Sequence, residues 1–244
     1  MIKKVLPKTA LISVSNKSGI LTFARLLQKN GVKIFATGGT ASELRGAGIK
    51  VSKVSSLSRF PEIFGGRVKT LSPYISGGIL GQRDNDKAEA KENNITWIDL
   101  VVCNLYPFSD VAKNTASTMD EKIENIDVGG PTMIRAAAKN FKWVGVVVSP
   151  KDYRSVGTAI SNGGLTEKKR FSLAKKAFGH CAEYDQTIFE TLSENTPEHD
   201  SLRYGENPHQ KSAIYSKNSN LNISQLNGKK LSYNNYNDIF AALN

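Results

Sequence analysis

The 244-residue chain is 39% hydrophobic and 23% charged, the balance of a folded globular protein, which excludes a disordered or fibrous chain. No apolar run approaches the roughly 20 residues of a membrane span and the amino terminus lacks the apolar core of a secretory signal, so a cytoplasmic protein with no membrane partner is expected. The formal charge of +11 comes from lysines spread along the chain, and its densest runs, "EKKRFSLAKKAF" among them, lack the interleaved aromatics of an RNA-reading surface; a phosphorylated metabolite fits the sign better than a nucleic acid.

In chain order, "TALISVSN" (9–16) reads as a buried strand and "SGILTFARLLQKNG" (18–31) as an amphipathic helix stopped by Gly31. "VKIFAT" is a second strand, "TASELRGAG" a short helix closed by glycine, and "KVSKV" a third strand. After a loop-rich region "WIDLVVCNLY" makes a strongly apolar fourth strand. "WVGVVVS" (143–149) is a fifth, followed by "KDYRSVGTAIS" and the long helical stretch "EKKRFSLAKKAFGHCAEYDQTIFETL". Repeated strand-helix-strand units imply an α/β fold with a mostly parallel sheet covered on both faces. After about Leu192 the segment "SENTPEHDSLRYGENPHQ" has the composition of a linker, and the apolar residues beyond it are too few for a core of their own. The expected division is therefore a domain over 1–196 and the start of a further one over 197–244. Cys103 and Cys181 show neither a pairing pattern nor metal-ligand spacing, so no disulfide and no metal site is expected.

Several stretches carry chemistry. In "IFATGGTASEL" (34–44), Gly38 and Gly39 lie where a strand hands over to a helix, so backbone N–H groups and the positive end of the helix dipole can meet an anion; a tight turn is the plain alternative. Thr37 and Thr40 add hydroxyls, and Ser15 and Lys17 of "SVSNKSG" share that sheet edge if the two strands are neighbours. "GGRVKTLSP" (65–73) combines glycines with Arg67 and Lys69, while "CNLYPF" puts Tyr106 just past a buried strand. In "IENIDVGGPTMIRAAAKN" (123–140) Asp127 precedes a Gly-Gly-Pro turn, and Arg135 and Lys139 are one helical turn apart. A solvated helix face accounts for that pair equally well. Of the histidines, His180 sits in a helical pattern and reads as structural, while His199 and His209 belong to the linker and tail.

Taken together, "SVSNKSG", "ATGGTASEL", "GGRVKTLSP", "SGGILGQRD", "VVCNLYPF", "IDVGGPTMIRAAAKN" and "AFGHCAEYD" resemble, in order and spacing, the IMP cyclohydrolase domain of the bifunctional purine-biosynthesis (PurH) family. "LRYGENPHQKSAIY" and "LNGKKLSYNN" resemble the opening of that family's second domain, the AICAR transformylase. The resemblance implies a methylglyoxal-synthase-like three-layer α/β domain that closes the purine ring of formylated aminoimidazole carboxamide ribotide (FAICAR), giving IMP and water. Carried over motif by motif, the catalytic group is Lys69, Tyr106, Asp127 and Lys139, with Asp127 and Lys139 as a coupled acid/base pair. The phosphate and ribose contacts fall on Ser15, Lys17, Thr37, Gly38, Gly39, Thr40, Arg67 and Thr70.

No cofactor is implied for ring closure. Folate belongs to the transformylase, whose catalytic element lies beyond Asn244, so formyl transfer is not expected even though Arg203 and Tyr204 resemble nucleotide-contacting residues of that domain. The family's homodimer is a candidate assembly, although much of its contact involves the absent domain. Ser72, Ser76 and Phe141 stand where histidines are common in the family, so no imidazole acts there. Two other readings share the fold: a methylglyoxal synthase, which has no reason to carry "RVKTL", "NLYPF" and "AAAKN" together, and a non-catalytic nucleotide-binding module.

Overall fold

The computed structural model describes residues 4–114, 116–193, 200–210, 212–214 and 227–243. They fall into two compact units, 1–188 and 189–244. The expected boundary at 196/197 and His199 lie outside the described residues.

The first unit is built on five strands, β1 (Thr9–Val14), β2 (Lys33–Ala36), β3 (Ser52–Lys53), β4 (Leu100–Asn104) and β5 (Gly145–Val147), in the order β3-β2-β1-β4-β5 and parallel throughout. Each strand read from the sequence is present, shortened at its ends. β4 is buried at all five positions, which is why its sequence is a continuous apolar run and not an alternation. Connections of parallel neighbours are right-handed, and the step from β1 to β2 runs opposite to the step from β4 to β5. The helices of these two connections, α1 (Ile20–Lys29) and α8 (Gly129–Lys139), therefore cover opposite faces. α2 (Gly38–Gly46) joins β2 to β3.

The region expected to be loop-rich also holds short helices, and so does the stretch that follows β4. Between β3 and β4 lie α3 (Ser55–Ser58), a 3-10 turn at Phe64–Gly66, α4 (Pro73–Leu80) and α5 (Lys87–Glu92); between β4 and α8 lie α6 (Phe108–Lys113) and α7 (Met119–Glu124). Most are too short to show a helical period, and two of them, α4 and α7, start at side-chain caps. Thr118 and Glu121 form a capping box on α7. Ser72 caps α4, its hydroxyl accepting from the Tyr74 N–H at 3.3 Å and donating to the Ser58 carbonyl at 3.1 Å, so the serine in that position has a structural task.

After β5 come α9 (Tyr153–Ser161) and α10 (Glu167–Ser193). α9 packs on α1, with the Tyr153 and Phe23 rings stacked at 4.6 Å. α10 carries the most unusual buried group of the core, the guanidinium of Arg170, 1% exposed. It donates from Nε to the Phe141 carbonyl at 2.7 Å, from one terminal nitrogen to the Lys142 carbonyl at 2.7 Å and from the other to the Leu165 carbonyl. Phe141 itself packs against the core with its ring 5.1 Å from that of Phe171. The last turns of α10 expose Phe189 and Leu192, just past Ile188, where the first unit ends.

In the second unit β6 (Asp200–Ser201) pairs antiparallel with β7 (Ala213–Ile214), and α11 (Tyr233–Leu243) starts at Ser232, whose hydroxyl accepts from the Asn235 N–H at 3.4 Å. The Arg203 guanidinium lies 4.7 Å over the Tyr204 ring and donates to its hydroxyl at 2.8 Å.

Replacing Arg170 by methionine keeps the volume but strands the Phe141 and Lys142 carbonyls, while the Leu165 carbonyl keeps the Val5 N–H at 2.9 Å. The expected loss is at least about 3 kcal/mol, read as a shifted denaturant midpoint with an unchanged slope.

Candidate functional site

In an open parallel sheet the crevice forms where strand order reverses, beyond the carboxyl ends of the strands. Here that point lies between β1 and β4. Asn104, the last residue of β4, holds the crevice in shape: its Oδ1 accepts from the N–H groups of Ser15 and Asn16, both at 2.8 Å, and its Nδ2 donates to the Asn16 carbonyl at 3.0 Å. The other end of β4 is stitched to β1 as well. Asp99 Oδ2 accepts from the Lys8 and Thr9 N–H groups at 2.9 and 3.1 Å, and Arg83 sits 3.7 Å from Oδ1. Burial pulls the Arg83 pKa below its ordinary value, and the Asp99 charge works against that shift.

Beside the crevice opens a cavity of about 670 Å³. Its wall includes Ser13 of β1, Arg67, Lys69 and Thr70 from the segment after the 3-10 turn, Tyr106 from the β4 exit, and Asp127 to Gly130 at the start of α8. Five of the residues singled out in the sequence thus meet in one place: Arg67, Lys69, Thr70, Tyr106 and Asp127. The Cys103 thiol lies beneath them; burial raises its pKa, the Asp127 charge adds to the shift and the Lys69 charge opposes it, which keeps the thiol protonated and inert.

Local packing explains the Asp-Val-Gly-Gly sequence. Asp127 Oδ1 accepts from the Gly130 N–H at 2.9 Å, closing the first turn of α8. A Cβ on Gly130 would lie 2.3 Å from Asp127 Oδ2 and 2.7 Å from Leu105, and one on Gly129 would lie 2.6 Å from the Thr70 hydroxyl. Only glycine lets the helix start this close to the carboxylate and to Thr70. Gly38 and Gly39 are different: a Cβ on either meets nothing within 4 Å. The protein leaves room there, on the side where the amides of the first turn of α2 point outward.

Of the rest of the expected binding set, Thr37 and Thr40 are used by the protein itself. Because β1 and β2 are paired, Ser15 and the start of α2 do share one edge of the sheet. The Thr37 hydroxyl donates to Ser13 at 2.9 Å, and the Thr40 hydroxyl both donates to and accepts from the Val14 backbone at 3.2 Å. Both threonines are buried and tie α2 to β1. Lys17 is exposed, and Ser15 lines a neighbouring cavity of about 710 Å³ that shares Tyr106 with the first. Arg67 donates from Nε to Glu124 Oε1 at 3.0 Å and from a terminal nitrogen to Oε2. That hydrogen-bonded partner raises the Arg67 pKa and lowers that of Glu124.

One expectation fails within the single chain. Asp127 lies at the amino end of α8 and Lys139 at its carboxyl end, a helix length of about 15 Å apart, so the coupled pair is not formed. Lys139 lines instead an apolar groove with Leu80, Phe141, Phe171 and Phe178. Arg135, one turn before it, is paired with Asp185 of α10.

Sequence reasoning missed Ser13, Asn104, Glu124 and Tyr184. The signal for Asn104 was available, since it is the polar last residue of an otherwise apolar strand. Nothing near Glu124 announces a partner 57 residues away. Among the described residues no cluster of His, Cys, Asp and Glu could hold a metal ion, and no helix is long and apolar enough to cross a membrane.

Against known proteins, residues 19–132 match the MGS-like domain family and residues 137–244 the AICARFT/IMPCHase bienzyme family. The bifunctional purine biosynthesis protein PurH of Thermoanaerobacter sp. (strain X514) is 48% identical over 97% of the chain and 50% of its own length. PurH of Staphylococcus aureus (strain Newman) is also 48% identical, over 97% of the chain and 49% of its own length, so the chain spans about half the length of these curated relatives. The crystal structure of ForH superposes with a TM-score of 0.67 at 37% identity, covering 76% of the chain and 99% of ForH.

The two glycine pairs are separable by experiment. Gly130→Ala is expected to cost about 1–3 kcal/mol through its contact with Asp127 and Leu105. Gly39→Ala, inside a helix with open space around it, is expected to leave stability unchanged or raise it by up to about 1 kcal/mol. Thermal melts of the two variants beside the parent provide the check.

Proposed function

The chain belongs to the PurH family, and from that premise we propose that it acts in purine biosynthesis as an IMP cyclohydrolase, converting FAICAR to IMP and water. The observation that carries the reading is the meeting of Lys69, Thr70, Tyr106 and Asp127 in one cavity from three separate stretches of the chain.

The reaction is intramolecular, so holding the carboxamide against the formyl group supplies much of the rate. The carboxamide nitrogen attacks the formyl carbon, and a new C–N bond forms while charge moves to the formyl oxygen. That oxygen then leaves as water, carrying one proton from the carboxamide nitrogen and one from the formamido nitrogen. Asp127 is the proposed proton acceptor, its Oδ1 engaged by the Gly130 N–H and the residue itself part of the cavity wall. Lys69 and the positive end of α8, where Val128 and Gly129 line the wall, are proposed to stabilise the developing oxyanion. Tyr106, half-exposed at 49%, is proposed to relay a proton. The 5′-phosphate is assigned to the edge formed by Ser15, Lys17, Gly38 and Gly39, with Thr37 and Thr40 holding that edge together. Arg67 would join once an anion displaces Glu124. No cofactor is needed, and folate chemistry is not assigned to these residues.

Lys139 fits this scheme only if a second copy of the chain delivers it. The groove beside it, with Phe171 51% and Phe178 44% exposed, suits an interface between two copies, which is the form in which a homodimer is proposed.

The test is FAICAR turnover, followed by ultraviolet absorbance and chromatography of IMP. Parent activity with loss in Lys69→Ala is expected; tight IMP binding without turnover would leave a nucleotide-binding module. Mixing Asp127→Asn with Lys139→Ala, each inactive alone, is expected to restore about a quarter of parent activity, because half the dimers are mixed and each has one intact site. No restoration would remove Lys139 from the mechanism.

A further inference from the structure

We infer that Tyr184 of α10 is a positioning residue for Asp127, acting through its hydroxyl; the inference rests on the cyclohydrolase reading above. Tyr184 does not line the cavity that holds Lys69 and Asp127. It belongs to the buried stripe of α10 that includes Ala177 and Cys181, and by spacing alone it is a core aromatic. Its ring meets Phe108 edge-on, with centroids 6.1 Å apart and planes at 69°.

A phenylalanine would fill that space. What it could not do is accept the Asp127 N–H, which reaches the Tyr184 oxygen at 2.8 Å. Asp127 is then held twice by different partners: its backbone by Tyr184, its carboxylate by Gly130. The first fixes where the turn enters α8, and the second fixes the rotation of the side chain. Together they hold Asp127 at a set place in the cavity wall. Without the phenol the Asp127 N–H is a part-buried donor with no partner, and the turn relaxes toward water to satisfy it. Burial raises the Tyr184 pKa, so the hydroxyl stays neutral and serves as a dipole and not as an acid. Its neighbour His180 is also kept neutral by burial, its pKa lowered.

The test is Tyr184→Phe in the full chain, with three readouts: steady-state kinetics on FAICAR, hydrogen exchange of the Asp127 amide, and the thermal midpoint. Phe108→Leu, which loosens the same ring packing but keeps the phenol, is measured alongside. The expected result for Tyr184→Phe is a fall in kcat of about 5- to 20-fold with KM within about twofold and faster exchange at Asp127. Phe108→Leu should lower the midpoint at least as far with kcat within about twofold. Unchanged kcat in Tyr184→Phe, unchanged exchange at Asp127, or an equal loss of kcat in Phe108→Leu would each overturn the proposal. A parent chain that binds IMP without turning over FAICAR would overturn the cyclohydrolase reading and this proposal with it, and the parent's own rate tells that failure from the others.

Discussion

Everything at the crevice depends on the pairing of β1 with β4. These two strands come from distant parts of the sequence, and their register is held at both ends by side chains that β4 itself supplies or follows: Asp99 at the start and Asn104 at the finish. A parallel pair has no hairpin to set its register, so the alignment rests on such stitches and on burial. Asn104 suits its end because an amide both accepts and donates, satisfying two N–H groups and one carbonyl with one side chain. A carboxylate there would meet the Asn16 carbonyl with no proton to offer. Once the two strand ends are aligned, the Ser15 loop, Tyr106 and, through Ser13, the start of α2 have little freedom left.

Four of the five strands were legible as apolar runs bounded by turn residues and β3 as the short alternation "KVSKV", and the parallel arrangement follows from the helices between them. The short helices α3 to α7 were not, since a segment of four to eight residues shows no period. At the site, residues close in sequence to their partners were readable: Asp127 beside Gly130 is a local pattern. Long-range pairings were not. The Arg67 fork on Glu124, the Tyr184 hydroxyl on Asp127 and the Thr40 hydroxyl on Val14 depend on a fold that no local pattern contains. Lys139 shows the opposite hazard. Its motif is plain in the sequence, yet the helix carries it away from the carboxylate it was expected to meet.

Two glycine pairs, alike on paper, differ in what they serve. Gly129 and Gly130 are demanded by the protein, which has Thr70, Leu105 and the Asp127 carboxylate in the space a methyl group would take. Gly38 and Gly39 are demanded by nothing in the protein, and they lower the helix propensity of α2 where alanine would raise it. Stability therefore explains the first pair. Packing does not explain the second pair, and its proposed role is the phosphate seat.

The Arg67 fork changes what the chain's net positive charge means at the cavity mouth. A guanidinium already seated on a carboxylate offers an arriving anion no unclaimed charge, only an exchange of partners. The electrostatic gain on binding there is a difference between two ion pairs and not the full value of one, and the displaced Glu124 remains close by as a competitor. Under the proposed phosphate reading, an arriving dianion would compete better for Arg67 than a monocarboxylate, which brings no more charge than the resident Glu124.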